Sequence, residues 1–191
     1  MEVMRKVLRL VAILNLAYFF IEFTFAIQLE SVSLLADSID FLEDASINIL
    51  VFIGLSWTLS SRKVLARILA LFLMIPVILM IPSIVREIKD SNPPSGIGIT
   101  FVAAGALIIN FSCSLMLVRY RKNEQNLVWA AYLSARNDAI ANICVIAVGV
   151  LTIFWPISAF DIAAGIGIGL LNSTSAIKVW RSAGRYSEES S

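Results

Sequence analysis

Four acids lie within one apolar stretch of the chain, Ser31 to Asn48: Asp37, Asp40, Glu43 and Asp44. At 100° per residue, Asp37, Asp40, Asp44 and Asn48 follow steps of three, four and four and fall on one stripe of a helix, with Glu43 at its edge. Asp40 and Asp44 are one turn apart, the spacing by which a helix offers two carboxylates to one ion. A second stripe comes from Ser134, Asp138 and Asn142, spaced i, i+4, i+8, while Arg136 and Asn137 point elsewhere. If the two helices face each other, Asp40, Asp44 and Asp138 converge, with Ser134 and Asn142 adding oxygens. Such a hard, anionic set attracts a divalent cation. Without the cation, mutual repulsion and loss of water favour protonation of some of the acids, so the same groups can carry protons. Asp37, Glu43, Glu22 and Asn137 are candidates for support around this set. Asp37 and Glu43 read most simply as interfacial or capping acids.

What must position these acids is a membrane. The residues AVILMFWYC make up 59% of the 191, and charged residues 15%, against soluble norms of about 45–50% and about 25%. A charged carboxylate at the centre of a membrane helix costs about 3 kcal/mol on insertion scales, so four in one helix mark a site. The net charge of +1 gives no reason to expect nucleic-acid binding. The chain has no histidine, which removes the commonest neutral metal ligand. Cys113 and Cys144 sit apart inside apolar runs and read as buried small hydrophobes.

Six runs are long enough to span a bilayer, which takes about 20 residues: 7–27, 33–59, 64–85, 97–118, 128–154 and 157–179. The first follows basic residues but lacks the small-x-small cleavage site of a signal peptide. The third contains Pro76 and Pro82, which predict a kink. Lys and Arg alternate across the connections. Arg5, Lys6 and Arg9, then Arg62, Lys63 and Arg67, then Arg119, Arg121 and Lys122, and finally Lys178, Arg181 and Arg185 mark one side. Only Arg86 and Lys89, beside Glu87 and Asp90, lie on the other. The positive-inside rule puts both termini in the cytoplasm. Trp57, Trp129, Trp155 and Trp180 fall near span ends, as interfacial aromatics do. The expected fold is an all-α integral membrane protein: one six-helix domain over 1–181 and a short polar, disordered tail over 182–191.

Other polar residues within the spans are more isolated. Asn15 and Glu22 are seven apart on one face of the first. Asn110 and Ser112 lie in the fourth, and Asn172 in the sixth. For the Asn and Ser residues interhelical hydrogen bonding is the simplest role. Glu22 divides evenly between a structural bond and a supporting or proton-carrying role. Asp161 opens the sixth span, where an acid suits the helix dipole. Gly165, Gly167 and Gly169 predict close helix packing.

At these residues the sequence resembles the cation diffusion facilitator family. Ser33-Leu-Leu-Ala-Asp37-Ser-Ile-Asp40-Phe-Leu-Glu-Asp44 is similar to the motif of that family's second helix. Ser134-Ala-Arg-Asn-Asp138, followed by Asn142, is similar to that of its fifth, except that Ser134 stands where the family usually has His, Asp or Asn. Asp161 also looks like an acid the family often has there. The resemblance runs from the first span to the sixth and implies a short branch without the family's C-terminal cytoplasmic domain, any homodimer forming through membrane helices. It implies a divalent transition-metal transporter of the Zn, Co, Cd, Mn or Fe class, exporting by alternating access and proton antiport. Metal would bind at Asp40, Asp44 and Asp138, with no resident cofactor and no enzymatic activity, in the cytoplasmic (inner) membrane of a prokaryote. The all-oxygen ligand set leans toward Mn²⁺ over Zn²⁺. Two other readings stand beside this one: a proton-coupled exporter of another small solute, and a non-transporting relative. An intramembrane aspartyl protease using Asp44 and Asp138 lacks the Gly-x-Gly-Asp segment such enzymes need.

Overall fold

The computed structural model describes residues 2–54, 59–89, 93–118 and 126–170, all of it helix and short connections. The helices are α1 (Glu2–Leu29), α2 (Val32–Gly54), α3 (Leu59–Lys89), α4 (Gly96–Val118), α5 (Asn126–Phe154) and α6 (Ser158–Leu170). Of these, α1 from Arg5, α4, and α5 from Ala135 have the length and apolar character to cross a membrane. The α2 helix is set apart by its acids, and the described part of α6 is shorter than a span. The predicted kink is not a break: α3 runs unbroken through Pro76 and Pro82, and the Ser83 hydroxyl bonds the Leu79 carbonyl at 2.8 Å. The polar tail, Asn172, Trp57, Trp180 and the basic residues at 119–122 and beyond 177 lie outside the described residues.

The turns are encoded locally. Glu30 ends α1 with a positive φ of 58°. Ser31 N–H reaches back to Ala26 O at 3.0 Å and Glu30 N–H to Ile27 O at 3.4 Å. This paired closure usually has glycine at the left-handed position; Glu30 occupies it while its carboxylate pairs with Arg86 at 2.5 Å. Ser31 then caps α2, its hydroxyl accepting from Leu34 N–H at 3.2 Å. Ser95 caps α4 in the same way through Gly98 N–H at 3.2 Å. At Trp155-Pro156 the chain leaves α5, since proline cannot continue the helix.

Packing puts α2 in the middle. Every residue from Ser31 to Ser46 is buried, so the acid-bearing helix is covered on all sides rather than on one stripe. It packs on α1, α3 and α5, with Leu34, Leu35, Ile39 and Phe41 in a core shared with Phe19, Ile99, Val102 and Val145. A smaller cluster around Leu8, Val11, Cys113 and Leu117 fills the other end. By contrast α1, α3, α4 and α5 turn large apolar residues outward, among them Phe20, Ile81, Phe101 and Ile143, the pattern of helices whose outer faces meet lipid. Cys113 is buried as expected, but Cys144 is exposed on this outer surface.

Small residues set the spacing. A Cβ on Gly149 would lie 2.8 Å from the Thr100 backbone nitrogen, and one on Gly165 2.7 Å from the Val32 carbonyl carbon. Thus α5 meets α4, and α6 meets the start of α2, backbone to backbone. Of the three α6 glycines expected to permit close packing, Gly165 and Gly169 do so, whereas Gly167 faces nothing within 4 Å.

Candidate metal centre

The acids of α2 enter the interior because α2 itself does. Asp37 is fully buried, Asp40 6% exposed, Glu43 8% and Asp44 4%. Asp37 and Glu43 are therefore not at the interface where the pattern of charges suggested; a helix buried all round has no interfacial face to offer them. Across from α2, Asp138 of α5 is partly buried. Among charged groups, Asp44 and Asp40 act most strongly on it, followed by Asp37 and Glu43. The α2 and α5 stripes do meet. They do not close up: among the described residues no three acidic or cysteine side chains stand close enough to hold a metal ion.

Asn142 of the α5 stripe is hydrogen-bonded across the bundle. Its amide nitrogen donates to Asp37 Oδ2 at 2.6 Å, and its Oδ1 accepts from Asn110 Nδ2 at 2.9 Å. Both ends of the amide are committed, so it links α4, α5 and α2 and holds one oxygen of Asp37. Asn137 is exposed and accepts from Arg136 at 3.3 Å, away from the acids. Ser134 lies on α5, with its side chain outside the described residues.

Two groups in α1 complete the surroundings. Glu22 is fully buried, both its oxygens and Asp37 Oδ1 lack a hydrogen-bond partner, and its strongest charged neighbour is Asp37, then Asp40. Tyr18 lies against Phe41 with ring centroids 4.9 Å apart and donates to Val102 O at 2.6 Å. Asn15 bonds Val11 O at 3.0 Å within its own helix. The isolated polar residues of α1 and α4 are thus less isolated than their spacing suggested: Asn110 and Glu22 both join the surroundings of Asp37.

Asp161 has a partner the sequence did not reveal. It stands in the first turn of α6, as expected, but its hydrogen bonds run to another helix. It is fully buried and caps α2: its oxygens accept from Ser31 Oγ at 2.7 Å, Val32 N–H at 2.5 Å, Ser33 Oγ, and Ser33 N–H at 3.3 Å. With Ser31 taking the next amide, the first-turn donors of the acid-bearing helix are matched, and a negative charge sits at its positive end. Sequence spacing within α6 carried no sign of this, because the partner lies 130 residues away.

A family model described as the cation efflux transmembrane domain matches residues 8–186. No curated protein gives a significant match to the chain.

Proposed function

The chain belongs to the cation efflux family, a multi-pass membrane transporter domain of the cation diffusion facilitator type, and from that premise we propose that it exports a divalent transition-metal cation in exchange for protons. The observation that carries this reading is that α2, buried from Ser31 to Ser46 and carrying Asp40 and Asp44 one turn apart, packs against α5, which carries Asp138. Burial makes these acids costly as carboxylates. A divalent cation removes that cost by drawing them together; protons remove it by neutralising them. The two occupants therefore exclude each other at the same oxygens, which is what antiport requires. Asn142 and Asn110 fix Asp37 beside the site, and Glu22 supplies a further buried acid next to it.

The oxygen-only side chains favour harder ions within the Zn, Co, Cd, Mn and Fe group, Mn²⁺ first. Export follows from alternating access between the cytoplasm and the outside of the cell membrane, with a second copy of the chain associating through the lipid-facing helices. Purified protein in vesicles loaded with a metal-sensitive dye tests the reading. Metal flux should follow an imposed pH gradient and disappear in Asp44→Ala. Flux that persists in Asp44→Ala, or none for any of the five metals, would sink it.

A further inference from the structure

The end of the bundle away from the cytoplasm holds a second acidic pair that the metal reading does not use. Three connections meet there. The Glu30 turn is paired to Arg86 of α3, Asp161 at the start of α6 caps α2, and residues 93–95 lead into α4. Between them lies a cavity of about 260 Å³, lined by Gln28, Glu30, Glu87, Pro93 and Ser95. Glu87 is 5% exposed and neither carboxylate oxygen has a hydrogen-bond partner. The acid that acts on it is Asp161. The sequence offered Glu87 only as one charge among four in a connection.

The two acids are not equivalent. Asp161 accepts four hydrogen bonds at the start of α2. Glu87 has no donor. Buried among acceptor oxygens, Glu87 is the member that gains from a proton, and as an acid it can donate to Asp161. The other charges near it are the Glu30–Arg86 pair, which largely cancels, and Lys89, exposed one turn-half further along α3. Asp90 lies outside the described residues. The first residues of α2 and α4 and the last turn of α5 bring no charge.

We propose that Glu87 is a second proton-binding site, a latch that takes a proton from the outside as the extracytoplasmic mouth closes and holds the end of α3 to the Asp161 cap of α2. The step balances simply: a carboxylate and a solvent proton give a carboxylic acid, and opening returns the proton to the outside. Burial first, and then the Asp161 charge, push Glu87 up to about 9 in the closed arrangement; in an open, hydrated mouth it returns to the ordinary glutamate value of about 4.3. The closed state has the raised value. Closure is therefore fully supported below about pH 4, weakens progressively as external pH rises, and loses this contribution above about 9. This reading rests on the alternating-access transporter proposed above.

The test is accessibility of the mouth rather than transport. With Gln28→Cys as reporter in intact vesicles, a membrane-impermeant thiol reagent applied outside is followed across pH 5 to 10, each Glu87 variant being normalised against Glu87→Gln. The glutamine keeps a donor for Asp161 but cannot titrate. Relative to it, the wild-type labelling rate should rise several-fold with pH, and Glu87→Ala, with no donor, should label fast at every pH. Identical profiles in wild type and Glu87→Gln would overturn the latch, as would slow, pH-independent labelling of Glu87→Ala. Folding is checked by metal binding to the α2–α5 acids, which all three proteins should retain. A wild type whose metal flux ignores a pH gradient would overturn proton antiport, while labelling still judges the latch.

Discussion

Asp44 and Asp37 are both buried acids of α2, yet their neighbours assign them different work. Asp37 has one oxygen held by Asn142 and stands beside Glu22, whereas Asp44 is the strongest charged influence on Asp138. Removing the charge of Asp44 with Asp44→Asn should lower metal flux more than about 100-fold, beyond the 10–100-fold typical of groups that only orient ligands; vesicle flux checks this. Asn142→Leu should fall inside that 10–100-fold range for metal affinity, because it releases Asp37 without deleting a carboxylate. The two asparagines of the relay also separate by stability. Asn110→Leu breaks a neutral bond, worth about 0.6 kcal/mol on average inside membranes. Asn142→Leu leaves a buried acid without its donor, a loss of about 1–3 kcal/mol. Thermal unfolding in detergent should rank Asn142→Leu below Asn110→Leu, and equal values would count against the relay.

At the scale of the helices, the sequence made the α2 stripe legible because a 3.6-residue period depends only on local spacing. The same logic found the α5 stripe but not the bonds of Asn142, since spacing shows that a side chain can face a partner but not which bonds it makes there. Asp161 shows the limit more sharply: an acid at a helix start is a local signal, while the helix it caps is 128–130 residues distant in the chain. Glycine carries the same ambiguity. In sequence Gly149 and Gly167 look alike, but a Cβ on the first would meet the Thr100 and Gly96 backbones, and one on the second meets nothing. Gly149→Ala should therefore destabilise the domain by about 1–3 kcal/mol by forcing α5 off α4. Gly167→Ala should stabilise it by up to about 1 kcal/mol through helix propensity alone. Melting temperatures that shift in the same direction for both would mean that the α4–α5 contact is not tight.

Over the whole molecule, orientation decides what the chemistry accomplishes. The ends of α1, α3 and α5 share one side with the starts of α2, α4 and α6, tied by Glu30–Arg86 and by Asp161 to α2. That side is poor in lysine and arginine, while basic residues gather at 5–9, 62–67, 119–122 and 178–185. By the positive-inside rule, the expected placement has the Glu87 cavity on the extracytoplasmic side and the opposite end of the bundle in the cytoplasm. The consequence for function is directional. Under the proposed antiport, protons displace a metal at Asp40, Asp44 and Asp138 most readily from the more acidic side, so an acidic exterior would drive metal outward. Cysteines introduced singly as Ser95→Cys and Ser61→Cys should resolve this in intact cells. An impermeant thiol reagent should reach position 95 directly and position 61 only after the membrane is opened. The reverse pattern would invert the bundle and place the Glu87 latch against the cytoplasm, while a proton–metal antiporter would still carry metal toward the more acidic side.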